Sequence, residues 1–174
     1  MKRALVHDAN VLIDLVKLEL IGLFFELPFR FITTDLIIEE LLSEQAEIVM
    51  TYVDSGQFQV MSLTAASLLE VVDISARQKQ LSLPDCSGIW LARQYDGFLL
   101  SGDRLLRKFS RDQGVEVHGH LWIFDRLVEM ERLEARSAVL LLRRLCEEVN
   151  PKLGLPEKEV ESRIKRWEDI ENRS

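Results

Sequence analysis

The stretch RALVHDANVLIDL, residues 3–15, decides how the rest of the chain is read. Arg3 to His7 is a short, mostly apolar run suited to a strand, and it stops abruptly at Asp8-Ala9-Asn10. Beyond the stop, Val11, Leu12, Leu15, Leu18 and Ile21 recur at helical spacing. The result is strand, polar turn, helix, with a carboxylate at the junction.

Working outward, the same unit returns. FRFIT (29–33) is β-prone and precedes a helical pattern from Asp35 to about Asp54, closed by Ser55-Gly56. FQVMS (58–62) is the next strand, after which Thr64 caps a helix running to about Gln80. Pro84-Asp85 opens a helix that Asp96-Gly97 ends before the strand FLLS (98–101). Gly102-Asp103 starts another helix. A short strand VEV (115–117) follows Gly114, then His118-Gly119-His120 and a helix through Leu121, Phe124, Leu127 and Val128. Five strands alternating with helices predict a three-layer α/β/α fold around a five-stranded, mostly parallel sheet. From about Leu133 the strands stop, and Val139, Leu142, Leu145, Cys146 and Val149 form one helical stripe. Asn150-Pro151 to Pro156 breaks the chain before a last helix with Val160, Ile164 and Trp167 on one face, expected to close over the first helix and leave Arg163, Lys165 and Arg166 solvated. Residues 1–132 are therefore read as the core domain and 133–174 as extra C-terminal helices packed on it or on a partner.

Composition narrows the function. A chain of 174 residues with 47% apolar and 29% charged residues fits a folded domain and excludes disordered and low-complexity classes. Lys17, Glu19, Glu26, Arg30 and Asp35 interrupt the most apolar region, so no membrane span is expected. Met1-Lys2-Arg3 leads into His7 and Asp8 rather than a signal-peptide core, and a cytoplasmic location is expected. Cys86 and Cys146 are too few and too far apart for a disulfide scaffold or zinc site. The net charge of −7 argues against a polyanionic partner only if the acids are scattered. Four carboxylates gathered on divalent cations would remove more than half of that excess.

Ligands of an open parallel sheet bind beyond the carboxyl ends of its strands, so acids there are the informative ones. Asp8 follows the first strand, Asp103 follows the fourth after one glycine, and Asp85 stands in the first turn of the helix entering the same region. Asp85 shares a face with Gly88, Ile89 and Ala92. After the second strand the choice falls between Glu39 and Glu40. Along one continuous helix with Ile37, Leu41, Glu44, Ile48 and Tyr52 facing inward, Glu40 lies on the shoulder of the inward stripe and Glu39 faces solvent. Four carboxylates in one cleft repel one another, and a cation is the natural compensation. An all-oxygen donor set suits Mg²⁺ or Mn²⁺ rather than zinc. Each aspartate alone could instead be a helix cap or turn residue.

VHDANVLIDL around Asp8, TTDLIIEEL around Glu40, LPDCSGIWLA around Asp85 and LLSGDRLLRK around Asp103 resemble, in order and over roughly residues 3 to 130, the PIN-domain family, which includes the toxin ribonucleases of toxin–antitoxin pairs. The resemblance implies a parallel sheet between helices and a Mg²⁺- or Mn²⁺-dependent nuclease centre. By position it makes Asp8, Glu40, Asp85 and Asp103 the catalytic, metal-binding quartet, with Asn10 and Ser101 as polar neighbours on the substrate side. It also implies an RNA substrate, a homodimer and, for toxin members, an antitoxin partner. Many relatives carry another acid shortly after the fourth position. Here Arg104, Leu105 and Leu106 follow Asp103, which implies a weakened or absent second metal. The segment from SGDRLLRK to VEVHGHLWIFDRL is similar to a PIN subgroup with poorly defined substrates.

Arg104, Arg107, Lys108 and Arg111 make a basic helical face that could hold the flanking phosphates of RNA, or could be an ordinary solvated face. His118 and His120 read as a turn and a helix start, and Trp90, Trp122 and Trp167 as packing residues. A metal-dependent endoribonuclease is the leading reading. An aspartyl phosphatase would want a second acid where Asn10 stands, and an inactive PIN scaffold binding RNA or protein is the non-enzymatic alternative.

Overall fold

The computed structural model describes residues 3–171, with the side chain of Glu171 excepted; Met1 and Lys2, and residues 172–174, lie outside the described residues. Five strands form one sheet: β1 Ala4–His7, β2 Arg30–Thr34, β3 Phe58–Met61, β4 Phe98–Leu100 and β5 Glu116–His118. Their order is β3-β2-β1-β4-β5 and every pairing is parallel. β1 is central, and all four of its residues are buried. The chain builds outward from β1 to β3, then returns to lay β4 on the other side of β1. That reversal opens a crevice between the carboxyl ends of β1 and β4, where ligands of such sheets bind.

Strand alternation divides the interior in two. Leu5, Phe31, Phe98 and Leu100 face one layer and Ala4, Val6, Ile32 and Leu99 the other. The first layer holds α1 (Ala9–Lys17), α2 (Ile21–Phe25), α4 (Ser43–Asp54), α8 (His120–Glu129), α9 (Ala135–Arg144) and α10 (Glu157–Glu171), while α5 (Ala65–Arg77), α6 (Leu83–Gln94) and α7 (Arg104–Asp112) cover the second. α3 is the single turn Asp35–Ile38. The extra C-terminal helices share the first core: Ala138, Val139, Leu142, Leu145 and Trp167 belong to the same cluster as Leu5 and Leu12. Among the described residues no helix is long and apolar enough to cross a membrane.

Three local expectations are corrected. The helix expected through Leu18 and Ile21 ends at Lys17 and restarts at Ile21, with Glu19 between them in the left-handed region at φ 60°. The long helix expected from Asp35 to about Asp54 is two, α3 and α4, separated by a turn at residues 39–42. The Leu42 amide there donates to Gln45 Oε1 at 3.1 Å, satisfying one of the free amides at the start of α4. The break resets the phase, so α4 buries Val49 and exposes Ile48. Finally, α10 lies against α9 and, through Trp167, against Phe124 of α8 at 6.2 Å, while the π-turn Leu145–Val149 meets α1. Arg163 is not solvated: its Nε donates to Asp125 Oδ2 at 3.0 Å and its Nη1 to Glu159 Oε2 at 2.7 Å. Arg166 pairs with Asp125 as well. A nearly buried carboxylate needs such compensation, and an apolar helix pattern does not announce it.

Candidate metal centre

The parallel register brings the expected acids to one edge. Beyond the last β1–β4 pair, His7 with Leu100, the Asp8 amide donates to the Leu100 carbonyl at 3.0 Å and sets Asp8 beside Ser101. Asp8 caps α1, its Oδ1 accepting from the Val11 amide at 2.8 Å. Its Oδ2 is buried without a hydrogen-bond partner among the described residues. Burial pushes the Asp8 carboxyl up from 3.8 to about 6; the Ser101 hydroxyl, the Val11 amide and His120 pull it back, and the charge of Asp85 adds to the rise.

Asp103 caps α7 in the same manner, with Oδ1 accepting from the Leu106 amide at 2.6 Å and its own amide donating to Ser101 Oγ at 3.0 Å. Asp85 closes a capping box: its Oδ2 accepts from the Ser82 amide at 3.0 Å, and its amide donates to Ser82 Oγ at 3.1 Å. Each aspartate therefore is the cap that its position suggested, and each also stands where a helix N-terminus favours negative charge. Glu40 sits in the turn after α3 rather than on a continuing helix, so the angular argument for it loses its basis. Its carboxyl is nevertheless raised by partial burial and then by Asp85 and Asp8, which places it within their field. Glu39 is exposed. Asp8, Glu40 and Asp85 thus interact electrostatically, while Asp103 shares the edge at the start of α7.

The donor chemistry fits a hard cation. All four groups are carboxylates, three repel one another, and a buried oxygen of Asp8 has no partner. Among the described residues no three acidic, histidine or cysteine side chains stand together as a ready metal cage. Mg²⁺ commonly keeps several waters and takes only one or two carboxylates directly, and a loose set anchored on Asp8 suits that habit.

The other expected residues divide. Asn10 is exposed and lines a cleft of about 540 Å³ with Asp103, Arg104 and Lys152. Ser101 is fully buried, its Oγ accepting from the Asp103 amide and its carbonyl from Arg107 Nη1 at 3.0 Å, so it contacts those two residues and is not open to the cleft. Arg104, Arg107 and Arg111 line a second cleft, of about 600 Å³, and Lys108 is exposed outside it. Burial lowers the pKa of Arg107, the like charge of Arg111 lowers it further, and Asp8 opposes both.

One network escaped the sequence. Asp14, His120 and Asn150 meet behind the centre: Asp14 Oδ2 lies 2.9 Å from His120 Nε2 and accepts from Asn150 Nδ2 at 2.9 Å. His120 is no mere helix start, since it is 2% exposed and its charge reaches Asp8. The available signal was an aspartate at position 14 on the buried stripe between Val11 and Leu18, where an apolar residue belongs. A Cβ on Gly102 would lie 3.1 Å from His120 Cε1 and 2.5 Å from Leu153 Cδ1, so the glycine lets the loop close over both.

A protein-family model described as a PIN domain matches residues 4–166. No curated protein matches the chain.

Proposed function

The chain belongs to the PIN-domain family, and we propose that it is a metal-dependent endoribonuclease hydrolysing RNA phosphodiester bonds. The observation that carries this reading is Asp8: a buried carboxylate at the end of the central strand, raised to about 6, with one oxygen left without a partner. An arrangement that holds charge against burial and repulsion is costly in a purely structural role and useful in a cation site. When bound, Mg²⁺ or Mn²⁺ would offset the carboxylate charges, lower the pKa of a water and stabilise the leaving oxygen.

Asp8 supplies the anchoring oxygen, and Asp85 and Asp103 complete the set from the starts of α6 and α7. Glu40, exposed and with its carboxyl raised by burial and by its acidic neighbours, accepts the proton of the attacking water. Asn10 and Arg104 border the approach to Asp103 and orient the phosphodiester. No residue forms a covalent intermediate in this scheme.

Cleavage of single-stranded and structured RNA with Mn²⁺ or Mg²⁺, against EDTA and against Asp8→Asn, tests it. Metal-dependent cleavage by the wild type that Asp8→Asn lacks supports the reading, and equal cleavage by both overturns it. A second reading, a PIN scaffold that binds RNA or protein without cutting, is favoured by one observation: each aspartate is engaged in capping, and among the described residues no three acids close on a common point. RNA binding with no cleavage under any metal would select it.

A further inference from the structure

Arg104, Arg107 and Arg111 line the 600 Å³ cleft from the α7 side. Leu121 and Trp122 of α8 and the segment Leu153–Pro156 supply its apolar walls. Its two ends differ in charge. At the far end Arg163 is neutralised by Asp125 and Glu159, the two carboxylates that line the cleft. At the near end, among the described residues, Arg104, Arg107 and Arg111 enter no ion pair. Arg107 is half-buried and spends one Nη1 hydrogen on the Ser101 carbonyl, while Arg104 Nη2 donates to the Gly154 carbonyl at 3.2 Å. Gly119 leaves the room that the Arg107 guanidinium occupies, because a Cβ there would collide with Nη1. A guanidinium held in place by backbone carbonyls and packed against a glycine keeps its remaining donors in a fixed fork, the geometry that suits phosphate.

We propose that this cleft is a subsite for a single nucleotide adjoining the scissile bond, its phosphate held by Arg104, Arg107 and Arg111 and its base packed against Leu121, Leu153 and Leu155. The inference rests on the nuclease reading only for the statement that the bound nucleotide belongs to the substrate strand. The volume lies within the usual range for a small-molecule site, and the combination of three unpaired cations with an apolar wall matches the two halves of a nucleotide. Ser101 ties this subsite to the acid centre, since its carbonyl receives Arg107 and its hydroxyl receives the Asp103 amide. The C-terminal segment consequently forms one wall of the substrate path, where the sequence had suggested packing alone.

The test uses the full chain in EDTA, where binding is read without turnover. A uridine or adenosine 5′-monophosphate titration is followed by tryptophan fluorescence, with Trp122 bordering the cleft, and is compared with inorganic phosphate and with the unphosphorylated nucleoside. The expected result is saturable nucleotide binding that is tighter than that of either half and weakens about tenfold in Arg111→Gln, a substitution at an exposed position. Leu155→Ser should weaken the nucleotide and leave phosphate unaffected. Equal affinity for phosphate and nucleotide, or nucleotide binding indifferent to both substitutions, overturns the proposal. Asp8→Asn separates it from the nuclease reading: that variant should keep nucleotide binding while losing RNA cleavage. Nucleotide binding that depends on Arg111 in a chain that cleaves nothing would leave the subsite standing and remove the nuclease.

Discussion

Two buried aspartates flank the same helix and meet opposite fates. Asp14, inside α1, has His120 and Asn150 on one carboxylate oxygen. Asp8, at the cap of α1, gives one oxygen to the Val11 amide and leaves the other unpartnered, and its pKa climbs to about 6. Burial is similar, 3% exposed for Asp14 and 4% for Asp8, so the difference lies in the partners. A satisfied buried carboxylate locks structure: Asp14 ties α1 to the start of α8 and to the break after the π-turn. An unsatisfied one at a strand end leaves an oxygen open, the one that the proposed cation site would use.

The largest effect should come from breaking the Asp8 side of this contrast. Asp8→Asn keeps a good cap and removes the free charge. In the RNA cleavage assay it should lower the metal-dependent rate by at least about a thousandfold, roughly 4 kcal/mol of transition-state stabilisation. Retention of most of the rate would make Asp8 a cap and nothing more. On the other side, Asp14→Ala leaves the buried His120 and the partly buried Asn150 without their acceptor. It should cost about 3–5 kcal/mol of folding stability, read as a lowered midpoint in denaturant. If Asp14→Ala unfolds no more easily than the wild type, the network is not structural and the comparison fails.

A smaller effect concerns pH, and here the signs differ between neighbours. Asp8 binds its proton more tightly folded than unfolded, so its contribution to stability falls as pH rises from about 4 to about 6 and stays unfavourable above. A rise of about two pKa units corresponds to about 3 kcal/mol. Asp8→Asn should therefore be more stable than the wild type at pH 7.5 without divalent metal by about 2–3 kcal/mol, and the gap should close below pH 4. Mg²⁺ or Mn²⁺ should raise the melting temperature of the wild type and not of the variant. His7, one residue earlier, works oppositely: burial among Phe24, Phe25, Phe31 and Phe58 lowers its pKa to about 3, so its contribution is present above 6.5 and is lost as pH falls toward 3. Both proteins carry His7, so the wild-type minus variant difference isolates Asp8. A stability gap that does not change between pH 4 and 7.5 would show that Asp8 is not held above its ordinary range.

The same contrast explains what could be read in the sequence. A strand that ends in an aspartate and continues as a helix is a local pattern, so Asp8 and Asp103 were legible, as were the strand ends to within a residue. The partners of Asp14 lie 106 and 136 residues away, and no periodicity connects them. The helix breaks at Glu19 and at residues 39–42 carry neither glycine nor proline, so nothing in the composition marked them. The Arg163 contact with Asp125 was not legible for a related reason, since a basic residue beside an apolar stripe looks solvated until the buried carboxylate opposite it is known, whereas Arg166 pairs with Asp125 and still stays exposed.

The smallest expected effect decides whether the turn after α3 belongs to the centre. Glu39 and Glu40 are adjacent, both exposed, and chemically identical, so composition and distance along the chain give no ground for a difference. Their surroundings do: Glu40 is raised by partial burial and by the charges of Asp85 and Asp8. With the helix broken at residues 39–42, the preference for Glu40 rests on the field its carboxylate feels and not on a count of angles from Ile37. Glu40→Gln should reduce metal-dependent cleavage about ten- to a hundredfold, within the usual range for loss of a general base, and raise stability slightly by removing a like charge. Glu39→Gln should leave both rate and stability within about 0.5 kcal/mol of the wild type, as expected for an exposed substitution away from a site. The pH dependence separates a proton acceptor from a bystander: the acidic limb of the rate profile should become shallower in Glu40→Gln, where only the titration of Asp8 remains, and keep its wild-type slope in Glu39→Gln. Equal loss in the two variants would mean that the turn contributes only its backbone, and the centre would then rest on Asp8, Asp85 and Asp103.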